Sequence, residues 1–85
     1  MFYVYSLQSI SHPHKFYIGQ TVRWPEDEER LTEHNSGKTA ATQERRPWKL
    51  VAYFAFTTSS QALAFEVYLK TGSGRAFLKK HFQPE

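Results

Sequence analysis

The chain has 85 residues, of which 40% are hydrophobic and 16% aromatic, so we expect a single domain over residues 1–85 with one modest core. It contains no cysteine, which excludes disulfides and thiolate metal sites. No segment approaches the roughly 20 apolar residues that span a bilayer, and the first residues lack the basic leader of a signal peptide, so we expect a cytoplasmic protein with no membrane association.

Two β-type segments open the chain. Residues 2–7 are rich in aromatic side chains, and their alternation predicts a strand with Phe2 and Val4 on one face and Tyr3, Tyr5 and Leu7 on the other. A loop of Ser, Pro and His follows, and residues 16–19 predict a short second strand. The short separation favours an antiparallel hairpin with a long loop.

The first helix is predicted from Pro25 to about Asn35. Proline suits a first helical turn, and the acidic residues 26–29 complement the positive end of the helix dipole. Gly37 is expected to end the helix. Few of its residues are apolar, so we expect this helix to present polar groups.

The most apolar run of the chain spans residues 50–56. Because it lacks alternation, it predicts a central strand buried on both faces. Residues 57–60 offer N-caps for a second helix over about residues 61–70, and residues 71–74 are expected to break it. A short basic helix over about residues 75–82 completes an α+β chain with the order ββαβαα.

Charge is distributed unevenly along the chain. Residues 1–37 hold three cationic and five acidic residues, a net of −2, and residues 38–85 hold eight cationic and three acidic residues, a net of +5. A basic half favours a polyanionic partner such as nucleic acid, and a solvated basic surface is the alternative.

Glu66 is the most informative single position. On a helix its neighbours are Ala62, Leu63, Leu69 and Lys70. A carboxylate in an apolar stripe is costly unless something pairs with it. We interpret it as a metal ligand or a buried acid, with an ion pair to Lys70 as the alternative.

Two further pairs are candidate site residues. The hairpin places Tyr5 and Tyr17 on one face, where they are either core tyrosines or, beside a metal ion or cation, a base for catalysis. Arg30 and His34 lie four residues apart on one helix face, which suits phosphate binding. A surface pair between Arg30 and Glu26 or Glu33 is the alternative interpretation.

Residues 45–49, Arg-Arg-Pro-Trp-Lys, interleave basic and aromatic side chains. That pattern suits phosphate contact with base stacking, and the alternative is a loop whose Trp48 fills the core. His12 and His14 flank a proline, which gives poor preorganisation for a metal site. P-loop, Rossmann, zinc and nucleophile-elbow motifs are absent.

Taken in order, these segments resemble the GIY-YIG nuclease superfamily. The resemblance is carried by Tyr3-Val4-Tyr5, Tyr17-Ile18-Gly19, Arg30-Leu31, residues 34–38, residues 47–51, and Ala62-Leu63 with Glu66 and Leu69-Lys70. It covers almost the whole chain and is closest to small stand-alone bacterial members, which are similar to the N-terminal nuclease domain of the bacterial excinuclease. The resemblance implies a three-stranded antiparallel sheet flanked by helices.

The resemblance also implies a mechanism. Glu66 would hold one Mg²⁺ or Mn²⁺ ion, Tyr17 would be the general base, and Tyr5 would orient these groups. Arg30 would stabilise charge on the scissile phosphate, and His34 would orient substrate or water. The expected DNA contacts are Arg23, Lys38, Arg45, Arg46, Lys49, Lys70, Arg75 and Lys79.

Three departures from the family pattern bear on catalysis. Many members have a late asparagine near the active site, and the only asparagine here is Asn35. Gln20 stands where some members have lysine. The stretch from Gly19 to Arg30 is a few residues longer than usual, so Arg23 competes with Arg30 for the catalytic role.

The sequence therefore predicts a divalent-metal-dependent DNA endonuclease, acting in DNA repair or processing, and a monomer. The alternative is a nucleic-acid-binding module of the same fold with weak or no activity. A third hypothesis is a protein-interaction domain that dimerises through an aromatic patch.

Overall fold

A computed structural model describes residues 1–22, 32, 34–37 and 44–82 of the chain. Its regular elements are β1 (Phe2–Ser9), β2 (Phe16–Thr21), β3 (Trp48–Phe56), α1 (Ser59–Leu69) and α2 (Gly72–His81). Thr32, His34 and Asn35 have helical backbone between β2 and β3. The order agrees with the predicted ββαβαα chain. The predicted helix start at Pro25, and Arg23, Arg30 and Lys38, lie outside the described residues.

The three strands form one antiparallel sheet in the order β2-β1-β3, which confirms the predicted sheet. β1 and β2 form the expected hairpin. In its register Tyr5 lies opposite Gly19, and Leu7 lies opposite Tyr17. Because residues two apart share a face, the hairpin brings Tyr5 and Tyr17 to the same side of the sheet.

β3 is an edge strand, so the prediction of a central strand buried on both faces is wrong. The central strand is β1, and every residue from Val4 to Ser9 is buried there. A bulge explains the misleading pattern in β3, because Ser6 pairs with Ala52 while Leu7 pairs with Leu50. The extra residue, Val51, shifts the side chains after it by one face, and this shift removes the alternation.

Each face of the sheet carries its own hydrophobic cluster. On the helix face, Val4 and Ile18 pack with residues of α1 and α2, namely Ala62, Leu69 and Leu78. On the opposite face, Tyr5, Leu7 and Trp48 form a second cluster, and Tyr17 packs against it. The faces predicted for the first strand are confirmed.

Threonines cap both described helices. The side chain of Thr58 accepts from the backbone N–H of Gln61, and that of Thr71 accepts from Gly74. Residues 71–74 therefore start α2, where the sequence suggested only a break. A Cβ at Gly74 would collide with the carbonyl oxygen of Tyr68, so glycine allows the two helices to meet closely. No helix among the described residues is long and apolar enough to span a bilayer.

Candidate active site

Tyr5, Tyr17 and His34 form a compact group on the face of the sheet opposite the two described helices. The hydroxyl of Tyr5 is hydrogen-bonded to Nε2 of His34 at 2.9 Å, and both residues are buried. The ring centroid of Tyr17 lies 4.9 Å from that of His34 and 6.3 Å from that of Tyr5. The structure thus brings together three of the five predicted catalytic residues.

Gly19 makes room for this group. A Cβ at Gly19 would overlap the hydroxyl of Tyr5 and would approach Cε2 of Tyr17 to 2.9 Å. Since that distance is below any ordinary carbon contact, both tyrosines can occupy their positions only beside glycine. The packing of Tyr5 and Tyr17 therefore explains why glycine stands at the third position of Tyr17-Ile18-Gly19.

The helical turn that carries His34 is held by Asn35. The backbone N–H of Trp48 donates to Oδ1 of Asn35 at 2.5 Å, and Nδ2 of Asn35 donates to the Trp48 carbonyl at 3.1 Å. Gly37 follows with φ +82°, the left-handed conformation expected where a helix ends. These bonds dock the turn on the first residue of β3.

Trp48 belongs to the core. Only 3% of its surface is exposed, and it packs in the cluster of Tyr5 and Leu7. The interpretation of Trp48 as a ring that stacks on bases is therefore wrong, because a buried ring offers no face to a base. The alternative, a loop whose Trp48 fills the core, is confirmed.

Glu66 has two polar partners. Its Oε2 forms an ion pair with Nζ of Lys70 at 3.2 Å, so the alternative of an ion pair is confirmed. Its Oε1 accepts from Nε2 of Gln20 at 3.0 Å. The side chain of Glu66 is only 17% exposed, and the carboxylate is held between two donors rather than directed into bulk solvent.

Glu66 and the tyrosines approach β2 from different faces of the sheet. Tyr17 and Gln20 are three residues apart on β2, so their side chains leave the strand on opposite faces. Since β2 is an edge strand, a ligand at its free edge can reach both faces. A direct meeting of Tyr17, Glu66 and Arg30 stays a prediction.

A cleft of about 420 Å³ lies along that free edge, between β2 and the junction of α1 and α2. Tyr17 lines it together with Lys70, the ion-pair partner of Glu66, and with Arg75. The cleft therefore connects the tyrosine–histidine group to cationic side chains that were predicted to contact DNA.

The remaining predicted DNA contacts occupy varied positions. Arg45 is half-buried, and its carbonyl accepts from the hydroxyl of Ser9 at 2.5 Å. Arg46, Lys49 and Lys79 are exposed.

The rings of His12 and His14 are 6.3 Å apart, and the described residues contain no group of three His, Cys, Asp or Glu side chains suited to a metal ion.

Sequence reasoning missed two residues that shape the site. Gln20 was noted only as a departure from lysine, although it donates directly to Glu66. Lys15, just before the second strand, lines the cleft and was not selected. Because Lys15 stands two residues before Tyr17 in an extended segment, alternation could have placed the two side chains on the same side.

Comparison with known proteins agrees with this geometry. A family model described as the GIY-YIG catalytic domain matches residues 1–82. A relative, the structure-specific endonuclease subunit SLX1 of Kluyveromyces lactis, is 39% identical over 69 residues. That alignment covers 73% of this chain and 23% of the relative, so the chain spans about a quarter of the relative's length. Since the family match extends over almost the whole sequence, this chain belongs to the GIY-YIG nuclease family.

Proposed function

We propose that this chain is a divalent-metal-dependent endonuclease that hydrolyses phosphodiester bonds in DNA. The observation that carries the proposal is the group of Tyr5, Tyr17 and His34, of which Tyr17 lines a cleft with cationic walls. The cations of the cleft can bind a phosphate, and the hydroxyl of Tyr17 can take part in moving a proton there.

Each residue of the group has a distinct role in the proposed reaction. Tyr17 is half-buried and lines the cleft, so it can reach a water molecule beside a bound phosphate. It would act as the general base by taking a proton from that water while its own hydroxyl proton passes to a phosphate oxygen. His34 packs against the ring of Tyr17 and is hydrogen-bonded to Tyr5. Tyr5 and His34 therefore orient Tyr17, and Arg30 is proposed to stabilise the phosphate charge.

The chain offers a suitable donor for the metal ion that the family implies. Glu66 presents two carboxylate oxygens, the ligand type that Mg²⁺ and Mn²⁺ prefer, and Gln20 and Lys70 orient them. One carboxylate completed by water and a substrate phosphate is sufficient for Mg²⁺. When bound, the ion supplies a Lewis acid that polarises the phosphate and stabilises the leaving oxygen.

The relative's name adds a proposal about the substrate. It is called structure-specific, so we propose branched or damaged DNA, as met in repair and processing, as the first class to test.

We propose a monomer in solution. A dimer is the alternative, and its interface would cover exposed apolar side chains such as Leu63 and Val67 of α1.

The test is cleavage of supercoiled plasmid and of branched DNA in Mg²⁺ or Mn²⁺. We expect Tyr17→Phe to lower the rate by about 100-fold or more, since it removes the proposed base. Glu66→Gln should have a similar effect through the metal site. Tyr68→Phe is the matched control, because this tyrosine lies on α1 outside the tyrosine–histidine group. Equal cleavage by wild type, Tyr17→Phe and Glu66→Gln would overturn the assignment.

One observation favours the alternative of a binding module without activity. Asn35 is the only asparagine, and both the oxygen and the nitrogen of its side-chain amide are hydrogen-bonded to the backbone of Trp48. It is therefore engaged in structure and does not fill the role of the late asparagine in the family pattern. If wild type binds DNA in low salt but cuts none with either metal, this alternative replaces the nuclease.

A further inference from the structure

The cleft beside β2 has two chemically different parts. Its rim carries Lys15, Lys70 and Arg75, all of them exposed. Its floor is apolar, formed by Ile18, Leu69 and Leu78, which are buried. A volume of about 420 Å³ falls within the range of about 300–1,000 Å³ that is usual for pockets holding a small ligand.

The rim is available for an anion. Only Lys70 is paired with a carboxylate, and no acidic residue in the described part of the chain forms an ion pair with Lys15 or Arg75. Lys15 and Arg75, which have no ion-pair partner among the described residues, are distant in sequence: Lys15 lies just before β2 and Arg75 in the first turn of α2. The fold therefore collects positive charge at one place, as a phosphate site requires.

The floor favours a ligand larger than a phosphate. Phosphate oxygens gain nothing from an apolar surface, whereas the face of a base or a sugar does. Phe16 and Tyr17 also line the cleft and can stack on a base. A cationic rim over an apolar and aromatic floor matches a nucleotide, with its phosphate at the rim and its base on the floor.

We propose that this cleft binds one unpaired nucleotide of the DNA substrate, next to the phosphate that is cut. A base within a duplex has both faces stacked, so it has no face free for the floor. An unpaired base can enter without that cost. Because Tyr17 belongs both to the cleft and to the tyrosine–histidine group, the nucleotide would lie beside the reacting phosphate.

The inference rests on the proposed nuclease function but can be tested apart from it. Binding is measured in EDTA, where no cleavage occurs, with a fluorescent oligothymidylate and with a blunt duplex of equal length at one salt concentration. Phe16→Leu keeps an apolar side chain and removes the stacking ring. We expect it to weaken binding of the single strand by at least about fivefold and to leave duplex binding unchanged.

Charge reversal tests the rim. We expect Lys15→Glu and Arg75→Glu to lower the ratio of single-strand to duplex affinity. The matched control is Lys80→Glu, since Lys80 is an exposed residue of α2 that lies away from the helix face of Arg75 and Leu78. Equal ratios for Lys15→Glu, Arg75→Glu and Lys80→Glu would overturn the inference.

NMR separates a nucleotide site from a plain anion site. Titration with thymidine monophosphate should shift the amide signals of Lys15, Leu69 and Arg75 at lower concentration than titration with inorganic phosphate. Equal affinity for both ligands would show that the floor contributes nothing and would overturn the inference. If the protein cuts DNA but shows no such preference, the proposed nuclease function stands and the proposed nucleotide site is wrong. If it binds the nucleotide but cuts no DNA, the nucleotide site stands and the nuclease function is wrong.

Discussion

The hydroxyl of Tyr5 lies 2.9 Å from Nε2 of His34, although 29 residues separate the two in the chain. This hydrogen bond joins the central strand of the sheet to the helical turn that precedes β3. Both partners are buried, so the bond is shielded from water, and breaking it removes a hydrogen bond between two polar atoms of the interior. The pair is thus part of the packing of the domain as well as of its candidate active site.

Tyr5→Phe removes the hydroxyl and leaves Nε2 of His34 without this partner. We expect the free energy of unfolding to fall by about 1–3 kcal/mol, measured by urea denaturation. Tyr68→Phe, at a partly exposed tyrosine on α1, should stay within about 0.5 kcal/mol of wild type. Equal stability of the two variants would contradict the structural role given to the Tyr5–His34 bond.

Gly19→Ala adds a methyl group where the hydroxyl of Tyr5 and the ring of Tyr17 lie. We expect a loss of about 1–3 kcal/mol in the free energy of unfolding, because a packed site has to shift. Cleavage should fall as well, since both tyrosines move. The matched variant is Gly72→Ala, where an added Cβ meets nothing within 4 Å and should leave stability equal or slightly higher. Equal behaviour of the two alanine variants would rule out the close approach.

Asn35→Ala removes both hydrogen bonds to the backbone of Trp48. We expect a loss of about 2 kcal/mol in the free energy of unfolding and a changed near-ultraviolet circular dichroism signal. Asn35→Asp keeps the acceptor for the Trp48 N–H but sets a carboxylate oxygen against the Trp48 carbonyl, so it should be destabilised as well. A variant Asn35→Ala as stable as wild type would show that the docking of the turn does not depend on this amide.

Gln20→Ala removes the donor that orients Oε1 of Glu66. If Glu66 holds the metal ion, the Mg²⁺ concentration for half-maximal cleavage should rise by about tenfold or more. Mn²⁺ affinity, measured by electron paramagnetic resonance, should fall in parallel. The control is Gln61→Ala, at an exposed glutamine of α1. If Gln20→Ala needs the same Mg²⁺ concentration as wild type, Gln20 does not contribute to metal binding.

Local signals in the sequence predicted much of the fold. The faces of β1, the hairpin with β2, the helix end at Gly37 and the N-cap at Thr58 follow from neighbouring residues, and the structure confirms them. The placement of β3 at the centre was wrong. Its apolar run lost alternation because of a bulge opposite Ser6 and Leu7, and a bulge depends on the partner strand, which the run itself does not contain.

The sequence by itself determined the family, through an ordered set of motifs, and the faces on which Tyr5 and Tyr17 lie, through strand alternation. Only the tertiary structure decided what these residues touch. The bond from Tyr5 to His34, the clamp from Asn35 to Trp48 and the bond from Gln20 to Glu66 span 29, 13 and 46 residues of chain respectively. Hydrophobic patterns constrain which face of an element is buried, whereas a single polar contact depends on register and docking, which are set only when the elements pack together.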